Sequence, residues 1–245
     1  MHPVCFKIGN FVVYWYGVFV AMGVILTAFL FQREARKNGY SDEVSGKIIF
    51  YTVLAGIIGA RIAHVLSYSH YYIRNPLEII MIRNGGLAIQ GGILFGMIGL
   101  ILAARKFGTD VMKVLDMVAK YLPLGQAIGR IGCFFHGCCY GRPSEKWFAI
   151  KFPFLEKSVY PTQIYYFIGD IIIFSILYFF AKDKQNDGEI TGWYFIFIGA
   201  FRYWIDQYRG DLIPGTLGFY PTQIYAILFF LIGALWIFRI SLVKK

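Results

Sequence analysis

Seven stretches of predominantly apolar residues follow one another along this chain, over 11–31, 48–68, 86–104, 114–135, 162–181, 190–207 and 219–238. A helix of about 20 residues satisfies its own backbone hydrogen bonds and spans the hydrocarbon core of a bilayer. Of the 245 residues, 58% are hydrophobic and only 16% charged, a balance too apolar for a soluble domain of this length. The expected fold is therefore all-α, a single integral-membrane domain over residues 1–245 with seven transmembrane helices. The first run is too long for the apolar core of a cleavable signal, is preceded only by Lys7 and shows no small-residue cleavage pattern. It is expected to stay as the first span.

A net charge of +10 raises nucleic acid as a partner, but the basic residues are scattered among short loops between apolar runs. Nothing resembles a recognition helix or an aromatic-basic sheet. Anionic lipid headgroups are the expected partner, and no nucleic acid. With the N-terminus outside, the inner loops and tail carry Arg33, Arg36, Lys37, Lys47, Arg105, Lys106, Lys113, Lys182, Lys184, Arg239, Lys244 and Lys245. The outer segments carry the smaller set Lys7, Arg74, Arg83, Arg142, Lys146, Lys151, Lys157 and Arg209. That bias favours an N-out, C-in orientation.

Polar residues inside the runs point to chemistry. The fourth run carries Asp116, Lys120, Pro123 and Gln126 before Arg130, so it is expected to face protein or a water-filled cavity. Burying a guanidinium costs roughly 2.5–3.5 kcal/mol on insertion scales, and its planar fork of donors suits phosphate. Arg202 and Asp206, four apart, have the spacing of an ion pair. Two readings stand: a structural pair, or Arg130 and Arg202 converging from different spans on a lipid phosphate. Arg61 follows the small residues Gly56, Gly59 and Ala60 and is expected to pair with a carboxylate such as Asp170 or Asp206. Gly85-Gly86-Leu87-Ala88-Ile89-Gln90-Gly91-Gly92 permits close approach of either a ligand or a neighbouring helix. The motif Tyr160-Pro161-Thr162-Gln163-Ile164-Tyr165 recurs as Tyr220-Pro221-Thr222-Gln223-Ile224-Tyr225. It reads either as two similar helix starts or as two amides, Gln163 and Gln223, aimed into one cavity.

Cys133, His136, Cys138 and Cys139 are zinc-ligand types, but they lack the paired short knuckles of structural sites and are cramped within one short segment. No metal is expected. A disulfide from Cys133 or Cys139 to Cys5 is the expectation for an outer, oxidising face.

These residues together resemble the bacterial prolipoprotein diacylglyceryl transferase family over nearly the whole chain. Tyr14-Trp15-Tyr16-Gly17, Gly59-Ala60-Arg61-Ile62, Asn75-Pro76-Leu77 and Gly85-Gly86-Leu87 fit its first three spans. Gly129-Arg130-Ile131-Gly132 with Phe134, Gly137, Gly141 and Arg142 follows its signature. Tyr160–Tyr165 and Gly199-Ala200-Phe201-Arg202 through Asp206 and Arg209 resemble its later blocks. Seven spans, N-out and C-in, is also the family arrangement. The chain departs from the signature at Cys133 and His136, where two Asn are usual, and at Cys138, where a Glu is usual. Gln90 stands in place of a His, Ile198 of a Tyr and Asp206 of a Glu.

The resemblance implies transfer of the sn-1,2-diacylglyceryl group of phosphatidylglycerol to the lipobox cysteine of a prolipoprotein, in the bacterial cytoplasmic membrane. A thioether forms and glycerol 1-phosphate leaves. No cofactor is expected, and a monomer is. The expected roles are Arg130 and Arg202 on the phosphate, Asp206 orienting Arg202, and His136 as general acid or base. Tyr16, Gln90, Gly141, Arg61 and Gln163 are expected to bind or position the substrate. Two rival readings are a non-catalytic phospholipid-binding or transport protein on the same scaffold, and a membrane thiol oxidoreductase using Cys138 and Cys139.

Overall fold

A computed structural model describes residues 3–9, 11–81, 85–212 and 220–243. Arg83, Lys244 and Lys245 of the charge comparison, and the first residue of the 219–238 run, lie outside them. The described residues are mostly helical. A hairpin, β1 (Val4–Ile8) and β2 (Phe11–Tyr14), leads into α1 (Trp15–Lys37), α2 (Asp42–Ser67) and α3 (Ser69–Arg74). A 3-10 turn (Pro76–Ile80) precedes α4 (Ile89–Lys106), α5 (Val111–His136), α6 (Thr162–Asp183), α7 (Glu189–Asp206) and α8 (Pro221–Val243). Each apolar run thus has its long helix. Five of these, α1, α2, α4, α6 and α8, are long and apolar enough to cross a membrane.

The strictly all-α expectation is corrected at the N-terminus. Phe11–Tyr14, the start of the first apolar run, pairs antiparallel with β1, Phe6 opposite Val13 and Lys7 opposite Val12. Phe-Val-Val-Tyr is a run of β-branched and aromatic side chains that suit a pleated surface, and the helix begins only at Trp15. The loop between the second and third runs also holds structure that hydropathy does not signal, in α3 and the 3-10 turn.

The chain divides into two compact units, Phe31–Leu115 and Met1–Leu30 with Asp116–Lys245. In the first, Ser41 caps α2 by accepting from the Val44 amide at 3.2 Å, with Asp42 and Glu43 in the first turn, where they complement the helix dipole. Helix α2 lies against α4 so closely that a Cβ on Gly91 would stand 2.3 Å from the Gly59 carbonyl oxygen. Of the two readings of the glycine-rich segment, tight helix packing accounts for Gly91.

In the second unit, α1 crosses α5 where a Cβ on Gly23 would sit 2.5 Å from the Gly125 oxygen, and α7 packs on both α6 and α8. Asp116, which reads in sequence as a polar fault in the fourth run, builds the start of α7. Its buried carboxylate accepts from the amides of Gly188 (2.8 Å) and Thr191 (2.9 Å) and from the Thr191 hydroxyl (2.8 Å), with Lys184 at 3.2 Å. A carboxylate from a distant helix therefore satisfies donors that every helix N-terminus leaves open.

Candidate functional site

Helices α5, α6 and α7 of the second unit bring their polar residues together. From α5, Arg130 lays its guanidinium over the ring of Tyr166 on α6, 4.0 Å from the ring centroid. Tyr166 is fully buried, and its hydroxyl donates to Asp206 on α7, itself 1% exposed. One turn along α6 lies Asp170, also 1% exposed, with neither carboxylate oxygen in a hydrogen bond. The positive charges of Arg130 and Arg202 both act on Asp170 and on Tyr166. A buried carboxylate with no hydrogen bond is costly, and the two guanidiniums offset part of that cost. On α7, the Tyr194 hydroxyl accepts from the Gln126 amide at 2.9 Å, leaving the Gln126 carbonyl oxygen unpartnered. The result is a polar interior between otherwise apolar helices, with Tyr166, Asp170 and Asp206 buried in it and half-buried arginines beside them.

Asp206 does not take the role its spacing predicts. Among the described residues its ion-pair partner is Arg209, at 3.5 Å, and its second contact is Tyr166. The pair Arg202–Asp206 is therefore corrected to Asp206–Arg209. The cause is the end of α7 at Asp206: the chain turns there, and Arg209 folds back while holding Asp211 through two bonds of 2.9 and 2.8 Å. Among the described residues Arg202 has no ion pair, and its charge acts, with that of Arg130, on Asp170.

The signature segment after α5 is wound tightly. His136 is the last residue of the helix and is exposed, its ring 5.9 Å from that of Tyr16 and 6.3 Å from that of Tyr14. Gly137 (φ 77°) and Cys139 (φ 59°) are both left-handed. Glycine takes that conformation freely, whereas for cysteine it is an uncommon, strained choice. Side chains from the start of α6 hold it, the Thr162 hydroxyl donating to the Cys139 carbonyl and the Gln163 amide to the Cys138 carbonyl at 2.7 Å. The turn draws the sulfurs of Cys133, Cys138 and Cys139 within 4.8 Å of one another. All four cysteines are free thiols, and Cys5 lies on β1, so the expected bridge from Cys5 to Cys133 or Cys139 is not formed. Beyond the turn, Gly141 threads between two backbones, its amide donating to the Tyr160 carbonyl at 2.9 Å while a Cβ would meet that oxygen at 2.6 Å. Gly141 is there because no side chain fits.

Other expected site residues have structural occupations. The Gln163 amide nitrogen goes to the turn just described, though its oxygen is unpartnered. Gln223 accepts from the Tyr220 amide at 3.1 Å and so caps its own helix. The repeated motif therefore gives two helix starts whose glutamines do different work. In the other unit, Arg61 is 7% exposed, and backbone carbonyls take the place of the carboxylate expected for it. It donates to the carbonyls of Ile79 (2.8 Å), Gly85 (2.7 Å), Gly86 (2.9 Å), Met81 (3.3 Å) and Glu78, over the Tyr72 ring. Five carbonyls on one guanidinium make Arg61 the organiser of the loop before α4. Gln90 is exposed in the first turn of that helix.

Sequence reasoning missed Tyr166, Tyr194 and the central place of Asp170. A lone aspartate in the very apolar fifth run was the available signal; the tyrosines had none, since tyrosine is common at membrane interfaces.

The sequence profile of the prolipoprotein diacylglyceryl transferase family matches residues 3–239. Among similar proteins, the phosphatidylglycerol–prolipoprotein diacylglyceryl transferase of Clostridium tetani is 30% identical over the full length of both chains. That of Fervidobacterium nodosum is 35% identical over 94% of this chain and 82% of its own. That of Staphylococcus carnosus is 34% identical over 97% and 90% respectively.

Proposed function

Because the chain belongs to the prolipoprotein diacylglyceryl transferase family, we propose that it moves the diacylglyceryl group of phosphatidylglycerol onto the lipobox cysteine of a prolipoprotein. The observation that carries this reading at residue level is Arg130 stacked 4.0 Å over the Tyr166 ring, one turn of α6 from the buried Asp170. The charges of Arg130 and Arg202 both act on that carboxylate, in an interior where charge interactions are strong. The planar donor forks of the two guanidiniums suit a phosphodiester headgroup.

In this reading Arg130 and Arg202 grip the phosphate, and their field stabilises the leaving glycerol phosphate as its bond to the glyceryl carbon breaks. Asp206 acts through Tyr166, fixing the ring on which Arg130 rests, instead of orienting Arg202. His136, exposed at the end of α5 between Tyr14 and Tyr16, serves as general acid or base. Tyr16 positions the headgroup, while Gly141 and Gln163 set the backbone of the turn around it. Gln90 and Arg61 contribute to substrate binding, Arg61 through the loop it organises. All seven long helices cross the bacterial cytoplasmic membrane as one domain, N-out and C-in, and the protein works as a monomer.

The test is incubation of the purified chain with phosphatidylglycerol and a lipobox peptide, followed by mass analysis. The expected product is the peptide with one diacylglyceryl group in thioether linkage, together with glycerol 1-phosphate. No product from protein that still binds phosphatidylglycerol would leave a lipid-binding protein in its place.

A further inference from the structure

The three thiols of Cys133, Cys138 and Cys139 are not used by the mechanism above, and their arrangement is that of a metal site. We propose that they bind one zinc ion, with the fourth coordination position open for the lipobox thiol that the enzyme alkylates. This rests on the transferase reading and gives it a means of making the nucleophile.

Geometry comes first. Zinc–thiolate bonds of about 2.3 Å set tetrahedral sulfurs about 3.8 Å apart. The three sulfurs already lie within 4.8 Å of one another, so side-chain rotations that draw them in by about an ångström close the site around a zinc of that bond length. The sequence spacing looked too cramped because it assumed ordinary backbone. Two consecutive non-helical turns, Gly137 and Cys139 at positive φ, reverse the chain so that Cys138 and Cys139 face back toward Cys133 on the last turn of α5.

Support comes second. Strained backbone persists only where its surroundings over-determine it, and such strain gathers at functional sites. Here Thr162 and Gln163, from α6, hold the carbonyls of the two turn cysteines, and Gly137 is packed so tightly that a Cβ would stand 2.4 Å from the Phe154 ring. These contacts are the outer shell that orients metal ligands. Charge comes third. A zinc with three thiolates is a net anion, and Arg130 and Arg209 act on this cluster, both on Cys139 and Arg130 also on Cys133.

Three protein ligands and one open position is the pattern of catalytic, as opposed to structural, zinc. A thiol that coordinates zinc gives up its proton, here to water. The bound lipobox sulfur then forms its bond to the glyceryl carbon of phosphatidylglycerol. The carbon–oxygen bond to phosphate breaks, and the leaving glycerol phosphate takes that electron pair beside Arg130, one helical turn before Cys133. The thioether product carries no charge on sulfur and is a poor zinc ligand, which frees the position. The residues that carry the sulfur include two of the positions where this chain departs from the family signature, Cys133 and Cys138.

The experiment uses the full chain in detergent, stripped of metal and reloaded with zinc or cobalt. Wild type and C5S are expected to hold one zinc per chain. C133S, C138S and C139S should each bind zinc more weakly by upwards of about a hundredfold, beyond the tenfold to hundredfold loss that an outer-shell partner causes. C138H, which offers another zinc ligand, should recover part of that loss. The cobalt form should show sulfur-to-cobalt charge transfer that strengthens when a lipobox peptide is added and does not change with the Cys→Ser peptide. Wild-type protein that transfers diacylglyceryl but binds no zinc would overturn the site and leave the transferase reading intact. So would serine variants that hold zinc as tightly as wild type, or a Cys138–Cys139 disulfide in active protein. A cobalt spectrum indifferent to the thiol peptide would overturn the open position. Zinc binding without any transfer would instead refute the transferase reading on which the site's role depends.

Discussion

Replacing Arg130 separates phosphate binding from fold. In the Arg130→Ala protein the phosphate loses one charged, desolvated contact, and such contacts are worth about 3 kcal/mol in the transition state, a factor of about 150 in rate. The same change removes a guanidinium lying 4.0 Å over the Tyr166 ring, which contributes about 0.5–2 kcal/mol to stability. Asp170 keeps the charge of Arg202 acting on it, so it is not left without opposite charge. The variant should therefore still fold while turnover falls by two orders of magnitude. Arg130→Lys keeps the charge but not the planar fork or its stacking, so it should lie between, roughly tenfold below wild type. The assay is initial rate of diacylglyceryl addition to a lipobox peptide, by mass spectrometry, at saturating and limiting phosphatidylglycerol. Arg33→Ala, an exposed arginine on α1, is the control and should match wild type. Arg130→Ala turning over within about fivefold of wild type, or well above Arg130→Lys, would refute the assignment, since neither outcome fits a contact of that size.

Three further outcomes follow from the geometry. Tyr166→Phe keeps the ring beneath Arg130 but frees Asp206, and should raise KM for phosphatidylglycerol about tenfold with much less change in kcat; Tyr166→Leu, which removes the ring as well, should lower both. Asp116→Ala strips the acceptor from two amides at the start of α7, each worth about 1–3 kcal/mol when left buried and unpaired, so thermal unfolding in detergent should shift down markedly. Asp42→Ala, which breaks the exposed pair with Arg36 at 2.8 Å, should shift it little, because such pairs contribute about 0–1 kcal/mol. Arg61→Lys cannot reach five carbonyls with three donors, and limited proteolysis should cut its 78–86 loop sooner than in wild type; identical digestion patterns would deny Arg61 its organising role.

What could be read from the chain beforehand divides along a physical line. Apolar length alone located α1, α2, α4, α6 and α8, because burial in hydrocarbon makes no demand on which neighbour a helix meets. The polar residues of α5 were recognisable as misplaced, yet their partners were not, since partnership is decided between helices. Spacing on one helix favoured Arg202–Asp206; the chain's turn after Asp206 gave that carboxylate to Arg209 and Tyr166. Arg61 was expected to want a carboxylate, but a guanidinium is equally satisfied by carbonyls, and a loop that folds over it provides five. The cysteine turn was the least legible of all. Nothing in Cys-Cys-Tyr announces a left-handed cysteine, and the contacts that hold it come from Thr162 and Gln163, more than twenty residues later.

The proposed site would favour the reaction over mere binding. In that reading Arg130 and Arg202, whose charges both act on Asp170, meet the phosphate. A phosphodiester brings one negative charge. As the carbon–oxygen bond breaks, the leaving monoester gathers a second, and the guanidiniums would hold it more strongly than they held the substrate. Catalysis requires that difference between transition state and ground state, since uniform binding would not raise kcat. Asp170 would set its size: with Asp170→Asn a negative charge beside the arginines is lost, the diester should bind more tightly, and release of the doubly charged product should become slow. A burst of one product per chain followed by a reduced steady rate is the expected signature in that variant. A simple proportional loss of rate with no burst would mean that Asp170 only supports the fold.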